Sequence, residues 1–165
     1  MSGNEHEILA EARRALGGLE FFRRMITGEL PTPPLPALLG FRLVEVAEGR
    51  MVFEAEPAPA YYNGRGSVHG GFTAALLDTA LGSVVNTTMG PGRAYATVDL
   101  KVTLVRALRH DVGTVRCIAT AIQCGAKMAT SEARIVDARD KIYAHGTATS
   151  MVVEAPAGSG NAPGA

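Results

Sequence analysis

Apolar and polar positions follow two periods along this chain, and the switches between them mark its elements. Ile8, Leu9, Ala12, Leu16, Leu19 and Phe22 or Met25 recur at three- and four-residue steps, which predicts a helix over residues 5–29. Glu5, Glu7 and Glu11 lie early in it, where the helix dipole favours acids. Pro31, Pro33, Pro34 and Pro36 then stop any helix and predict an extended connector. Residues 41–47 and 50–56 read as two strands joined by Glu48-Gly49, with Met51, Phe53 and Ala55 alternating with more polar neighbours. A loop rich in Pro, Gly, Tyr and Asn covers residues 57–68. Residues 70–88 form a second helix, apolar nearly all round, and Gly90-Pro91-Gly92 ends it.

Four strands close the pattern. Ala94, Ala96, Val98, Leu100, Val102 and Leu104 alternate with Tyr95, Thr97, Asp99, Lys101 and Thr103, a period of two. Val115, Cys117, Ala119 and Ala121 repeat it around Arg116 and Thr120. Residues 128–136 and 142–153 supply the last two strands, with a turn at residues 137–141. The order α-β-β-α-β-β-β-β belongs to the α+β class. Short links predict an antiparallel meander whose apolar face is covered by the helix from Gly70. From Glu154 onward the small-residue tail has little to bury and is expected to be disordered.

Length and composition narrow the possibilities. A chain of 165 residues favours one domain, and 47% hydrophobic against 19% charged residues is the balance of a soluble protein with a sizeable core. Lys+Arg and Asp+Glu are equal at 16 each, so there is no basic excess to suit a nucleic acid. The start, MSGNEHEILAEARR, lacks the apolar stretch of a signal peptide, and the longest apolar run is shorter than the ~20 residues that cross a bilayer. No membrane partner and a cytoplasmic location are therefore expected. Cys117 and Cys124 read as two buried, unpaired thiols on one strand.

The candidate chemistry lies in the stretch YYNGRGSVHGGFTAALLD. Gly64-x-Gly66 is a near miss to a dinucleotide-binding glycine motif, but the sixth position is His69 and no βαβ unit follows. His69-Gly70-Gly71 opens a helix, where free first-turn amides suit an oxyanion or a polarised carbonyl. A tight turn capped by His69 fits the same residues. Asp78 is the only formal charge between Phe72 and Val85. A carboxylate in a dry setting serves as a base or nucleophile, or else it is hydrogen-bonded for structure. Gly70 and Asp78 are ~12 Å apart along one helix axis. A carbonyl held at the Gly70 amide is thus out of reach of Asp78 on the same helix. If both act on one substrate, they come from two chains with these helices antiparallel across a two-fold axis.

Asn63, then His69-Gly70-Gly71, then Asp78, then a strand carrying Thr97-x-Asp99-Leu100 resembles the hotdog-fold acyl-CoA thioesterases of the phenylacetate-degradation type (PaaI-like and 4-hydroxybenzoyl-CoA thioesterase-like). The resemblance spans about residues 36–153 and includes PALLGFRLVEVAEGRMVFEAE. It implies a long central helix wrapped by an antiparallel sheet, here with an extra N-terminal helix. The division is then an N-terminal segment of residues 1–35, a hotdog domain of residues 36–153 and a tail of residues 154–165. It implies hydrolysis of an acyl-CoA thioester without a cofactor, coenzyme A being part of the substrate. It also implies a homodimer as the minimal active unit, often assembled into a homotetramer. Gly70 would donate its amide to the thioester carbonyl, and His69 would orient the loop or the thioester. Asp78 from the partner chain would attack or activate water, with Asn63 and Thr97 in the same pocket. Gly71, Arg106 and the hairpin Gly125-Ala126-Lys127-Met128 would contact the substrate. Phe72, Leu76 and residues of the N-terminal helix are expected to line the acyl pocket, although that helix lies outside the resemblance and suits an oligomer face equally. The chain departs from many relatives at Ala107, where they carry proline.

Two rivals remain. A hotdog dimer can hold acyl-CoA without turning it over. Hotdog hydratases and dehydratases use an Asp-x4-His pair, and Asp140…His145 has that spacing, but it falls at the final hairpin, as a turn residue and a strand residue.

Overall fold

The computed structural model describes residues 3–155. Three short N-terminal helices, α1 (Gly3–Ala15), α2 (Gly18–Ile26) and α3 (Pro34–Leu39), precede strands β1 (Arg42–Ala47) and β2 (Arg50–Ala55). The long helix α4 (Gly70–Asn86) follows, then β3 (Arg93–Leu104), β4 (Val115–Cys124), β5 (Met128–Val136) and β6 (Ile142–Glu154). All strand pairs are antiparallel, in the order β1-β2-β4-β5-β6-β3. One face of this six-stranded sheet packs on α4. That is the hotdog architecture, with extra helices at the N-terminus.

Helix α4 is built for burial. Leu76, Leu77, Leu81, Val84 and Val85 are fully inaccessible, as are Cys117, Ala119, Ala129, Ile135 and Ala144 of the sheet. Small residues on the sheet let the helix come close. A Cβ added at Gly146 would sit 3.6 Å from Leu77 Cδ1 and 2.6 Å from the Lys101 carbonyl. The helix is capped at both ends. His69 Nδ1 accepts from the Gly71 amide at 2.9 Å, and Thr87 Oγ1 donates to the Val84 carbonyl at 2.6 Å. Thr87 Oγ1 also accepts from the Gly49 amide at 2.8 Å, which ties the β1–β2 turn to the helix end.

The N-terminal segment differs from expectation twice. The single helix over residues 5–29 is two helices, broken at Leu16-Gly17. The break lets α2 lie against the C-terminal end of α4, where the Gly18 amide donates to the Met89 carbonyl at 2.9 Å. A Cβ at Gly18 would stand 1.8 Å from the Asn86 carbonyl oxygen, so only glycine fits. Gly18→Ala is therefore expected to cost ~1–3 kcal/mol or more by overpacking, read as a lowered midpoint in thermal denaturation. The prolines do not give a purely extended connector either. Pro34 starts α3 at its first turn, where a missing N–H costs nothing. Gly40, at φ 68°, ends it, and the Phe41 amide returns to the Pro36 carbonyl at 2.8 Å.

The closing strands also depart from a simple meander. β4, β5 and β6 follow one another, but β3 pairs with β6 and forms the sheet's edge. Its alternation does not mark one face. A bulge between Thr97 and Asp99 shifts the register. Before it, Thr97 pairs with the buried Ser150; after it, Leu100 pairs with the buried Ala148. The face toward α4 is thus carried by odd residues first and even residues afterwards. The β5–β6 turn is as expected. Asp137 Oδ1 accepts from the amides of Arg139 (2.8 Å) and Lys141 (3.0 Å), and Asp140 adopts φ 60°. Asp140 pairs with Arg116 at 2.7 Å, and His145 is an exposed strand residue, so the two are held apart in role. Of the two thiols only Cys117 is buried; Cys124, past a second bulge in β4, is exposed. Disorder is expected from Glu154 onward, but Glu154 ends β6 and the Ala155 amide donates to the Gly92 carbonyl at 2.8 Å; residues 156–165 lie outside the described residues.

Candidate functional site

The loop before α4 is organised by Asn63. Its Oδ1 accepts from the Arg65 amide at 2.8 Å, its Nδ2 reaches Ser67 Oγ at 3.3 Å, and its own amide donates to the Ser67 carbonyl at 2.8 Å. Gly66, at φ 74°, closes the turn, which explains the glycine better than a phosphate cradle does. The loop then delivers His69 to the head of α4. Because His69 occupies the Gly71 amide, the amide left facing outward in the first turn is that of Gly70, for which no acceptor exists among the described residues. His69 itself is exposed.

Gly70 opens on a small cavity of about 230 Å³ shared with Asn63, Ser67, Thr73, Leu104 and Arg106. The Arg106 guanidinium donates to the Ile142 carbonyl, which fixes it at the rim. Asp78 faces a different and larger cavity, of about 810 Å³. Its Oδ1 is buried and has no hydrogen-bond partner among the described residues. The structure therefore gathers Asn63, Gly70 and Arg106 in one place and Asp78 in another, with α4 running between them.

The cavity at Asp78 has apolar walls. Phe22, Met25 and Ile26 come from α2, and Phe41, Leu43 and Phe53 from the start of the sheet. Phe72 and Leu76, expected to line it, are instead core residues. Phe72 is sandwiched by Tyr61 (4.5 Å, stacked) and Phe41 (5.1 Å, edge-on), and Leu76 is fully inaccessible. Beside Asp78 the lining turns polar, with Thr79, Ser83, Tyr95 and Arg13. Burial pushes the Tyr95 phenol above its ordinary pKa, while its hydrogen bond with Ser83 and the charge of Arg13 pull the other way. The Tyr95 ring lies on Gly82, where a Cβ would meet its Cε2 at 2.2 Å. Tyr95, Ser83 and Arg13 were not singled out from the sequence. The bulge in β3 hides Tyr95, which a regular strand would turn outward with Thr97 and Asp99.

The remaining expected residues are scattered. Thr97 is half-buried on the α4 side of β3 and lines neither cavity. Gly125 lies at the far end of α4 with Met89, Gly90 and Arg93, and Arg93 donates to the Ala126 carbonyl at 2.8 Å. The Lys127 carbonyl accepts from Val152 at 2.9 Å, and Met128 is exposed. Within one chain this hairpin does not meet Arg106. Burial pushes the Cys117 thiol far above its ordinary value, so it offers no thiolate. Among the described residues no cluster of His, Cys, Asp or Glu is placed to hold a metal ion, and no helix is long and apolar enough to cross a membrane.

Comparison with known proteins agrees with this architecture. The family model described as the thioesterase superfamily matches residues 65–144. A solved structure of a phenylacetic acid degradation-related protein from Ralstonia eutropha JMP134, described as a putative thioesterase, is 27% identical. It aligns with a TM-score of 0.72 over 79% of this chain and 98% of its own. The Escherichia coli PaaI protein, from the phenylacetic acid degradation operon, is 21% identical, with a TM-score of 0.72 over 85% of this chain and 97% of its own. A Streptococcus mutans protein solved with acetyl-CoA is 19% identical, with a TM-score of 0.64 over 71% of this chain and 91% of its own. No curated protein matches the sequence. The resemblance to hotdog thioesterases of the PaaI-like type holds at the level of family model and fold.

Proposed function

We propose that this hotdog protein hydrolyses acyl-CoA thioesters, and that each active site is shared between two copies of the chain. The observation that carries the proposal is the division along α4. A buried carboxylate oxygen without a partner faces one cavity, and a helix-start amide without an acceptor faces another, ~12 Å along the same axis. Neither half is sufficient for acyl transfer. Two antiparallel α4 helices would bring the Asp78 of one copy to the Gly70 of the other.

The edge strand supports such pairing. Among the described residues β3 has no strand neighbour on its outer side, and Val98, Leu100 and Leu104 on it are 53, 38 and 56% exposed. Pairing β3 with its copy would continue the sheet and cover these side chains.

In the assembled site the Gly70 N–H donates to the thioester carbonyl oxygen, at the positive end of α4. Asp78 of the second copy takes a proton from water as water attacks the carbonyl carbon, or attacks it directly to give an anhydride that water then opens. The C–S bond breaks, the CoA thiolate leaves and is protonated, and the acid remains. Asn63 holds the loop that presents His69 and Gly70, and Arg106 stands where a CoA phosphate could pair with it.

Incubation with a panel of acyl-CoAs and a thiol reagent tests the proposal. Release of free CoA is the expected result. Binding without release would place the protein among acyl-CoA carriers instead.

A further inference from the structure

The large cavity holds a charge that hydrolysis does not use. Arg13, on α1, lines it beside Tyr95. Its backbone is anchored, because its carbonyl accepts from the Gly92 amide at 3.3 Å. Its guanidinium lies over the Phe21 ring, 4.4 Å from the centroid. Among the described residues no carboxylate lies within ion-pair distance of it. Burial lowers its pKa, and the nearby Tyr95 phenol acts against that. The Tyr95 phenol hydrogen-bonds with Ser83 and lies within electrostatic reach of both Arg13 and Asp78. The polar wall therefore runs from Asp78 through Ser83 and Tyr95 to Arg13, with the acid at one end and the base at the other.

A half-buried guanidinium without an anion is costly, and much of the remaining wall is apolar, with Phe22, Met25, Ile26, Phe41 and Phe53; the other guanidinium there, Arg42, already pairs with Glu54. A purely hydrocarbon acyl group would leave that charge unpaired. An acyl group with an anionic far end would pair it while its middle fills the apolar walls. The volume of about 810 Å³ accommodates a chain or ring of that length.

We infer that Arg13 is a specificity-determining residue that pairs with a carboxylate at the far end of the acyl group, so that the preferred substrates are ω-carboxyacyl or carboxyaryl thioesters. This rests on the reading of the Asp78 cavity as the acyl site. The reacting carbonyl then sits at Asp78 and the second carboxylate lies beyond Tyr95, toward the N-terminal helices. Those helices lie outside the stretch matched by the thioesterase family model, residues 65–144.

The test pairs suberyl-CoA with octanoyl-CoA, which share chain length and differ in the terminal carboxylate. Binding is measured by calorimetry on Asp78→Asn protein, so the result does not depend on turnover. The expected result is binding of suberyl-CoA ~10- to 100-fold tighter, the range for a charge-assisted pair. Adding Arg13→Met, which removes the charge but keeps an unbranched apolar side chain, should abolish that preference without weakening octanoyl-CoA; Arg13→Lys should retain part of it. Equal binding of the two thioesters, or a preference that survives Arg13→Met, overturns the inference. Hydrolysis by the wild-type chain is scored separately. Octanoyl-CoA cleaved without preference sinks only the role of Arg13. A preference in binding with no cleavage of either thioester leaves Arg13 standing and sinks the hydrolase.

Discussion

Asp78→Ala is expected to lower kcat for thioester hydrolysis by ~10²–10⁴-fold, the contribution of a general base, without loosening the fold. The two effects separate because of where the carboxylate lies. Its Oδ1 is buried and receives no hydrogen bond, so the folded chain carries a desolvated polar atom that nothing offsets. Alanine removes that liability and is the better helix former. Thermal denaturation should therefore show an unchanged or raised midpoint in the inactive variant, the trade between activity and stability seen at strained sites. A structural aspartate would behave in the opposite way, with stability falling and activity following it. Full activity in Asp78→Ala would remove the proposed mechanism.

Gly70→Pro tests the other half. Proline is accepted at the first position of a helix, and His69, at φ −61° and ψ 139°, already has the extended backbone that a residue before proline needs. The substitution deletes one N–H and little else; the nearest obstacle to a side chain is the mobile end of Leu104, 2.9 Å from a Cβ. Loss of a single oxyanion donor predicts a fall of ~10²–10³-fold in kcat, with KM changed much less. Gly70→Ala, which keeps the N–H, is the control and should retain most activity. Equal losses in the two variants would point to the crowding of Leu104 instead.

Much of this arrangement is visible in the chain's patterning. The two-residue period over residues 115–121 and 128–136 and the cap at His69 follow from local rules, and the structure has those elements where the rules put them. What escapes them is set by distant partners. Gly17-Gly18 reads as an interruption of a helix only once Asn86 is known to press on Gly18. Pro34 is as suited to starting a helix as its neighbours are to stopping one. The place of β3 at the edge depends on pairing with β6, some fifty residues on, which no local pattern encodes. The bulge after Thr97 turns Tyr95 toward Asp78, and alternation alone would turn it away. Phe72 and Leu76 look like pocket residues because they flank the motif, but helical geometry aims them into the core.

The ~12 Å between Gly70 and Asp78 is the strongest sequence-level constraint, since it follows from helix rise alone. The separate cavities agree with it. Its consequence is that two differently disabled chains should repair each other. Asp78→Ala and Gly70→Pro chains, each inactive alone, are co-expressed or mixed through unfolding and refolding. Random pairing makes half of the dimers mixed, each with one intact site and one doubly damaged, so about one quarter of wild-type activity should return. Activity that stays at the level of the two parents, in dimers shown to be mixed, would contradict the shared site.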